Sequence, residues 1–158
     1  EPDAVIPTTG ARIMDLQNPE SKMSTSAGTD ASRVYIDDAP EDIVKKVKRA
    51  QTDSGSEVVR GPDKAGISNL IEIYAVARGV DPDAVEREFE GQGYGAFKQG
   101  VGEAVADLLG PVRERYRELR ANPDAIEAAL RKGADRALEI AVPTMAEVHS
   151  AMGLGRQS

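Results

Sequence analysis

Cysteine and tryptophan are absent from this 158-residue chain, and histidine occurs once, at His149. Without cysteine there is neither a disulfide framework nor a thiolate zinc site. A single imidazole excludes a multi-histidine metal centre, and no metal ligands are assigned. Aromatic residues make up 4% of the chain, too few for a platform that stacks single-stranded bases. No apolar run approaches the roughly 18–20 residues needed to cross a bilayer. The opening Glu1-Pro2-Asp3 is acidic with no apolar segment behind it, unlike a secretory signal. These absences together lead to the expectation of a cytoplasmic protein. The missing initiator Met fits a processed or truncated product.

Basic residues are outnumbered. Twenty Lys and Arg face 27 Asp and Glu, for a formal charge of −7. That balance opposes bulk attraction to nucleic acid. It leaves room for a local basic patch, because screening lets near charges dominate.

What is present is an ordinary globular mixture, 40% hydrophobic and 30% charged. Its organisation changes near residue 38. Before that point Pro, Gly, Ser and Thr are dense and helical periodicity is missing. Ala11-Arg12-Ile13-Met14-Asp15-Leu16 reads as a strand or strand end, and Val34-Tyr35-Ile36 as a short extended piece. The polar stretch from Gln17 to Arg33 between them is long for a structureless loop, a length usually kept for function or movement.

Beyond residue 38 the pattern is helical. Pro40 suits a first helical turn with Glu41 and Asp42 behind it, and Ile43, Val44, Val47 and Ala50 share one face. A turn-rich stretch from Thr52 to Gly66 has room for a short hairpin at Glu57-Val58-Val59-Arg60. Ile67, Leu70, Ile71, Tyr74 and Ala77 define a second helix stopped by Gly79. Asp81-Pro82-Asp83 is a cap-proline-acid start for a third, and Asn122-Pro123-Asp124 repeats the signal. Between them a long helix from about Tyr94 to Ala121 carries the stripe Phe97, Val101, Val105, Leu108, Leu109, Val112, Tyr116 and Leu119. Gly110-Pro111 is expected to bend it. The last helix carries Ile126, Leu130, Ala137 and Ile140, with a kink expected before Pro143 and an end at Gly153-Leu154-Gly155.

The segment richest in chemistry is Lys22-Met23-Ser24-Thr25-Ser26-Ala27-Gly28. On an open loop, hydroxyls and free backbone N–H groups can contact phosphate oxygens, while a lysine supplies a movable point charge. Taken alone, the pattern fits a flexible surface loop equally well.

Context narrows the choice. Gly10-Ala11-Arg12-Ile13-Met14 followed by Lys22-Met23-Ser24-Thr25-Ser26 resembles the region of the KMSKS signature in Rossmann-type aminoacyl-tRNA synthetases. Four further segments, in the same order, resemble the bacterial tryptophanyl-tRNA synthetases. They are Ala50-Gln51-Thr52-Asp53-Ser54, Gly66-Ile67-Ser68-Asn69-Leu70, Gly91-Gln92-Gly93-Tyr94-Gly95-Ala96-Phe97-Lys98 and Ala151-Met152-Gly153-Leu154-Gly155-Arg156. The resemblance covers residues 8–156.

It implies a mainly α fold: a helical bundle of the anticodon-binding type, preceded by a short remnant of a Rossmann-type α/β catalytic domain. Residues 1–38 would form the edge of that domain with the signature loop. Residues 39–122 would form the tRNA-binding helices, and 123–158 a helix packing back toward the core. The family uses ATP, with Mg2+, to make tryptophanyl-adenylate and then transfers L-tryptophan to its tRNA. The intact enzymes are homodimers. By position, Lys22 becomes the catalytic phosphate ligand, and Met23, Ser24, Thr25 and Ser26 join it in binding ATP. Thr25 departs from the pattern, since the family usually has a second lysine there. Losing that charge-assisted contact costs roughly 1.5–3 kcal/mol unless a basic residue elsewhere compensates. The family's other signature, the HIGH tetrapeptide, has no match, so the chain alone is expected to be inactive. A noncatalytic tRNA-binding module and a helical interaction protein are the alternatives.

Lys45, Lys46, Lys48 and Arg49 form a basic cluster that the resemblance assigns to tRNA phosphates, although such clusters are usually a solvated face. Arg113, Arg115, Arg117 and Arg120 form a second, diluted by Glu114 and Glu118. Asp37-Asp38 reads as a helix start, not a metal pair. The Gly91–Gly95 run reads as a helix-helix turn because no strand precedes it. His149 has no catalytic partner in the pattern and reads as a surface or packing residue.

Overall fold

The computed structural model describes residues 3–154. Five helices carry the architecture: α1 (Pro40–Lys48), α2 (Ala65–Arg78), α3 (Pro82–Glu88), α4 (Gly93–Ala121) and α5 (Pro123–Ala151). A single 3-10 turn, Asp30–Ser32, precedes them. The chain separates into two compact units, with the division inside α4 between Glu114 and Arg115.

Local chemistry explains where the helices start and stop. Pro40 occupies the first turn of α1, with Glu41 and Asp42 at the positive end of its dipole and Lys45, Lys46 and Lys48 at the negative end. Gly79 closes α2 in the left-handed conformation at φ 66°, which costs glycine no Cβ clash. The Asp81 carboxylate accepts from the Asp83 N–H to open α3, and the Asn122 side chain accepts from the Ala125 N–H to open α5.

The first unit is built on α1, α2, α3 and the first half of α4. Ile43 and Val47 of α1, Ile67, Leu70 and Ile71 of α2, Val85 of α3, and Phe97 and Val101 of α4 are all buried. Phe89 joins them through edge-on contacts, with ring centroids 5.3 Å from Tyr74 and 5.0 Å from Phe97. One close approach fixes the arrangement. A Cβ at Gly66 would lie 2.1 Å from the Gln51 carbonyl oxygen, so α2 can begin against residue 51 only with glycine there. In the second unit, α5 buries none of its residues.

The mainly helical reading holds, with local corrections. The 11–16 strand is reduced to one antiparallel bridge, Met14 with Lys22, and no strand forms among the described residues. Residues 57–60 make no hairpin, because Val58 turns into the core and the Arg60 N–H and guanidinium bind Glu86. Val34–Ile36 runs into a turn closed by the Asp38 N–H on the Tyr35 carbonyl. Both long helices are continuous through Pro111 and Pro143. Ala39, not Asp38, caps α1. The α5 helix ends where Gly153 turns left-handed and the Leu154 N–H reaches the His149 carbonyl. Gly155 and Arg156, part of the last matching segment, lie outside the described residues.

Candidate functional site

The Lys22 loop is open at its tip and firmly rooted. The Met23 N–H donates to the Ile13 carbonyl at 3.0 Å and the Asp15 N–H to the Ser21 carbonyl at 2.8 Å. At the far end the Leu16 N–H donates to the Ser32 carbonyl at 3.0 Å, so residues 17–31 leave and return beside the same buried leucine. The α2 helix grips the root. Buried Asn69 accepts from the Met14 N–H at 2.8 Å and donates to the Met14 carbonyl at 3.0 Å, and the Glu72 carboxylate accepts from the Gly10 N–H. An asparagine that meets both sides of one peptide position fixes register much as a neighbouring strand would.

Within the loop the sequence-assigned residues divide. Lys22 is exposed and makes no ion pair among the described residues. Met23 is half-buried, packed on the core. The Ser24 hydroxyl accepts from the Ser26 and Ala27 N–H groups at 3.2 and 3.3 Å and lies 3.3 Å from the Ser26 hydroxyl. Thr25 and Ser26 are exposed. Lys22, Met23, Ser24 and Thr25 line one open cavity of about 410 Å3, and Ser26 does not.

Two cations of that cavity wall, Arg12 and Arg33, carry no assignment from sequence. Arg12 lies inside the matching Gly10–Met14 segment. Nothing in the pattern marks Arg33, whose placement depends on how the loop folds over it. Its guanidinium is buried and donates to the carbonyls of Ser24 at 2.7 Å and Gly28 at 3.1 Å.

The basic cluster also divides. Lys45, Lys48 and Arg49 are exposed on α1. Lys46 is buried, with its ammonium 2.8 Å from Asp38 and 3.2 Å from Asp30, over the Tyr35 ring at 4.8 Å. Burial works to lower its pKa, but the hydrogen bonds and attraction of the two carboxylates prevail and raise it above the ordinary lysine value. Lys46 is therefore an internal cation. Asp38 is committed likewise, to Lys46 and the Tyr35 N–H. Arg113 is buried and donates to the Asp38 carbonyl, and Arg115 pairs with Glu118.

Three of the segments singled out in the sequence meet in space. Lys98 donates to the Ala50 carbonyl at 2.8 Å and the Thr52 hydroxyl at 2.9 Å. The Tyr94 hydroxyl donates to the Asp53 carboxylate at 2.8 Å and is approached by Lys64 at 2.8 Å. Gly66 lies against Gln51. These groups join α4, the residues after α1 and the start of α2 into one polar knot.

Residues 1–110 match the family model described as tRNA synthetases class I (W and Y). The chain is 42% identical to the tryptophan–tRNA ligase of Wolinella succinogenes, over 97% of its own length and 47% of that protein. It is 45% identical to the tryptophan–tRNA ligase of Leifsonia xyli, over 96% of itself and 45% of the relative. The crystal structure of tryptophanyl-tRNA synthetase from Mycoplasma pneumoniae superposes with a TM-score of 0.79 at 26% identity, covering 96% of this chain and 47% of that one. The chain thus spans less than half the length of each of these relatives.

Proposed function

This chain belongs to the class I tRNA synthetases of the W and Y type, and on that premise we propose that it is the phosphate-loop and tRNA-binding portion of a tryptophan–tRNA ligase. The complete protein would activate tryptophan with ATP, releasing pyrophosphate, and pass it to the tRNA for tryptophan. Its relatives' names support tryptophan over tyrosine. Residues 1–38 would edge the nucleotide-binding domain, 39–122 would meet tRNA, and 123–158 would pack back on the catalytic core. A cytoplasmic homodimer is the proposed state of the complete protein.

One observation carries the reading. Lys22 is an exposed ammonium, without an ion pair among the described residues, held on the wall of a cavity by a bridge to Met14. Pyrophosphate gains negative charge as it leaves ATP, and a fixed cation beside it lowers the barrier by stabilising that charge. Among the described residues Lys22 has no carboxylate to neutralise. Met23 anchors the loop to the core below it, and Ser24 shapes the turn with its hydroxyl. Thr25 offers a hydrogen bond without charge. Mg2+ would arrive on the phosphates of ATP, which commonly supply most of its nonaqueous ligands. Among the described residues, no group of three or more His, Cys, Asp or Glu is placed to hold a metal.

The test is tryptophan-dependent exchange of pyrophosphate into ATP by the full-length protein. Lys22→Ala is expected to slow it by about a hundredfold or more, the scale of losing one preorganised charge-stabilising group. Exchange near the native rate would remove Lys22 from the reaction. The 158-residue chain by itself is expected to give no exchange.

A further inference from the structure

The Lys22 loop, anchored on the core through Met23, also closes over a buried cation. Arg33 is only 7% exposed, yet it sits at the end of a loop whose tip is open to solvent. Its Nη1 donates to the Ser24 carbonyl at 2.7 Å and its Nη2 to the Gly28 carbonyl at 3.1 Å, with the Thr29 carbonyl at 3.5 Å. These acceptors flank the stretch 25–27, so one rigid fork spans the base of the tip. Only arginine presents donors in that fixed planar spacing. The Nε has no hydrogen-bond partner among the described residues, so the side chain's placement is dictated by the two carbonyls it bridges.

The clamp is itself braced. Arg33 lies over the Tyr35 ring at 5.6 Å, and Lys46 lies over the same ring at 4.8 Å. Lys46 holds Asp30 and Asp38, which flank Arg33 in sequence. The segment bearing the fork is thus tied to α1.

We infer that Arg33 is the positioning residue of the signature loop, setting the conformation in which Lys22 and the Ser24–Ser26 turn meet phosphate. The inference rests on the ATP-phosphate reading of the loop and adds a residue to it. In this chain Thr25 brings no charge to draw the tip onto the nucleotide. The loop is instead shaped from within, and among the described residues Arg33 is the buried cation that reaches its carbonyls.

Arg33→Ala and Arg33→Lys, in the full-length protein, test this beside Lys22→Ala. Pyrophosphate exchange is measured with KM for tryptophan and for ATP, and amide hydrogen exchange is followed across residues 24–29. In Arg33→Ala, kcat is expected to fall about a hundredfold, the scale of misplacing a reacting group by about an ångström. KM for tryptophan should be unchanged, and amides 24–29 should exchange faster. Millimolar methylguanidinium should restore part of the loss. Arg33→Lys keeps the charge but cannot bridge both carbonyls, and should remain impaired while melting close to the native protein. Native-like kcat in both variants would overturn the inference, as would a fall in kcat with loop exchange unaltered. If Lys22→Ala is itself silent, the phosphate reading fails. If Lys22→Ala is slow and the Arg33 variants are not, only the positioning role fails.

Discussion

Lys45 and Lys46 are adjacent in sequence and opposite in environment. Lys45 is exposed on α1, whereas Lys46 is enclosed by Asp30, Asp38 and the Tyr35 ring. Replacing Lys46 by Met would strand the nearly buried Asp38 carboxylate without its partner. Breaking such a pair from one side costs about 3 kcal/mol or somewhat more, so the urea midpoint of Lys46→Met should drop clearly. Charge reversal at Lys45 and Lys48 should leave stability within about 0.5 kcal/mol, as for ordinary surface changes. Those reversals should weaken tRNA binding by the complete protein and flatten its salt dependence. Affinity unchanged across several salt concentrations would remove α1 from the tRNA surface. The string Lys-Lys-Val-Lys-Arg suggested four equivalent cations. Helical geometry turns the second of them inward beside Ile43 and Val47, where Asp30 from the 3-10 turn and Asp38 from the approach to α1 meet it.

At the scale of elements, the meeting of α2 with the residues after α1 is the tightest joint in the first unit. Gly66→Ala would drive a methyl group into the Gln51 carbonyl, against backbone that is hydrogen-bonded to Leu16. Overpacking of this sort costs about 1–3 kcal/mol. A thermal melt of Gly66→Ala should show the loss, while Gly110→Ala, with open space at its Cβ, should melt at or above the native temperature.

The knot next to that joint is sensitive to acid. Burial alone would raise the Asp53 pKa, but hydrogen bonds from the Tyr94 hydroxyl and the Gly55 N–H, with the charge of Lys64, lower it. Glu86 is lowered in the same way by Arg60 against the effect of burial. Each carboxylate is a stronger acid folded than unfolded. Their contribution to stability is therefore complete above the ordinary carboxylate pKa of about 4 and is lost as pH falls through the depressed folded values. The urea midpoint should fall as pH drops below about 4, and less steeply in Asp53→Asn. Equal slopes for native and variant would show that Asp53 does not contribute to the acid transition. The helices themselves were legible because caps, prolines and a 3.6-residue stripe are local signals. The 11–16 strand and the 57–60 hairpin were not, because alternation of polar and apolar residues cannot say whether a pairing partner is near. Asn69 fills one such role, bonding Met14 from a helix.

Across the whole molecule, the two long helices differ in what their apolar residues touch. The α4 stripe is buried at Phe97, Val101 and Val105, while Leu108, Val112, Tyr116 and Leu119 on the same stripe are exposed. On α5, Leu138, Val142 and Met145 follow helical spacing and are 57%, 59% and 48% exposed, and Leu130 and Ile140 are 68% exposed. A helix apolar on more than one side is normally buried by something. The 158-residue chain is expected to self-associate with rising concentration in sedimentation experiments, and Leu138→Glu with Val142→Lys should reduce the effect. A monomer at high concentration would show that these residues are tolerated in water.

Sequence alone determined the helical content, the helix ends, the lysine exposed on a polar loop and the ordered segments by which the family is recognisable. Each depends on residues close together in the chain. Tertiary structure decided which charges face water and which are enclosed. It put Arg33 under the loop, took Lys46 out of the basic cluster, brought Asp53, Lys64 and Tyr94 into one hydrogen-bonded group, and set Lys98 on the Ala50 carbonyl and Thr52 hydroxyl beside it. The physical reason is that the state of a charge is set by its neighbours within a few ångströms, and in this fold those neighbours come from segments as much as 75 residues apart, as Arg113 and Asp38 do.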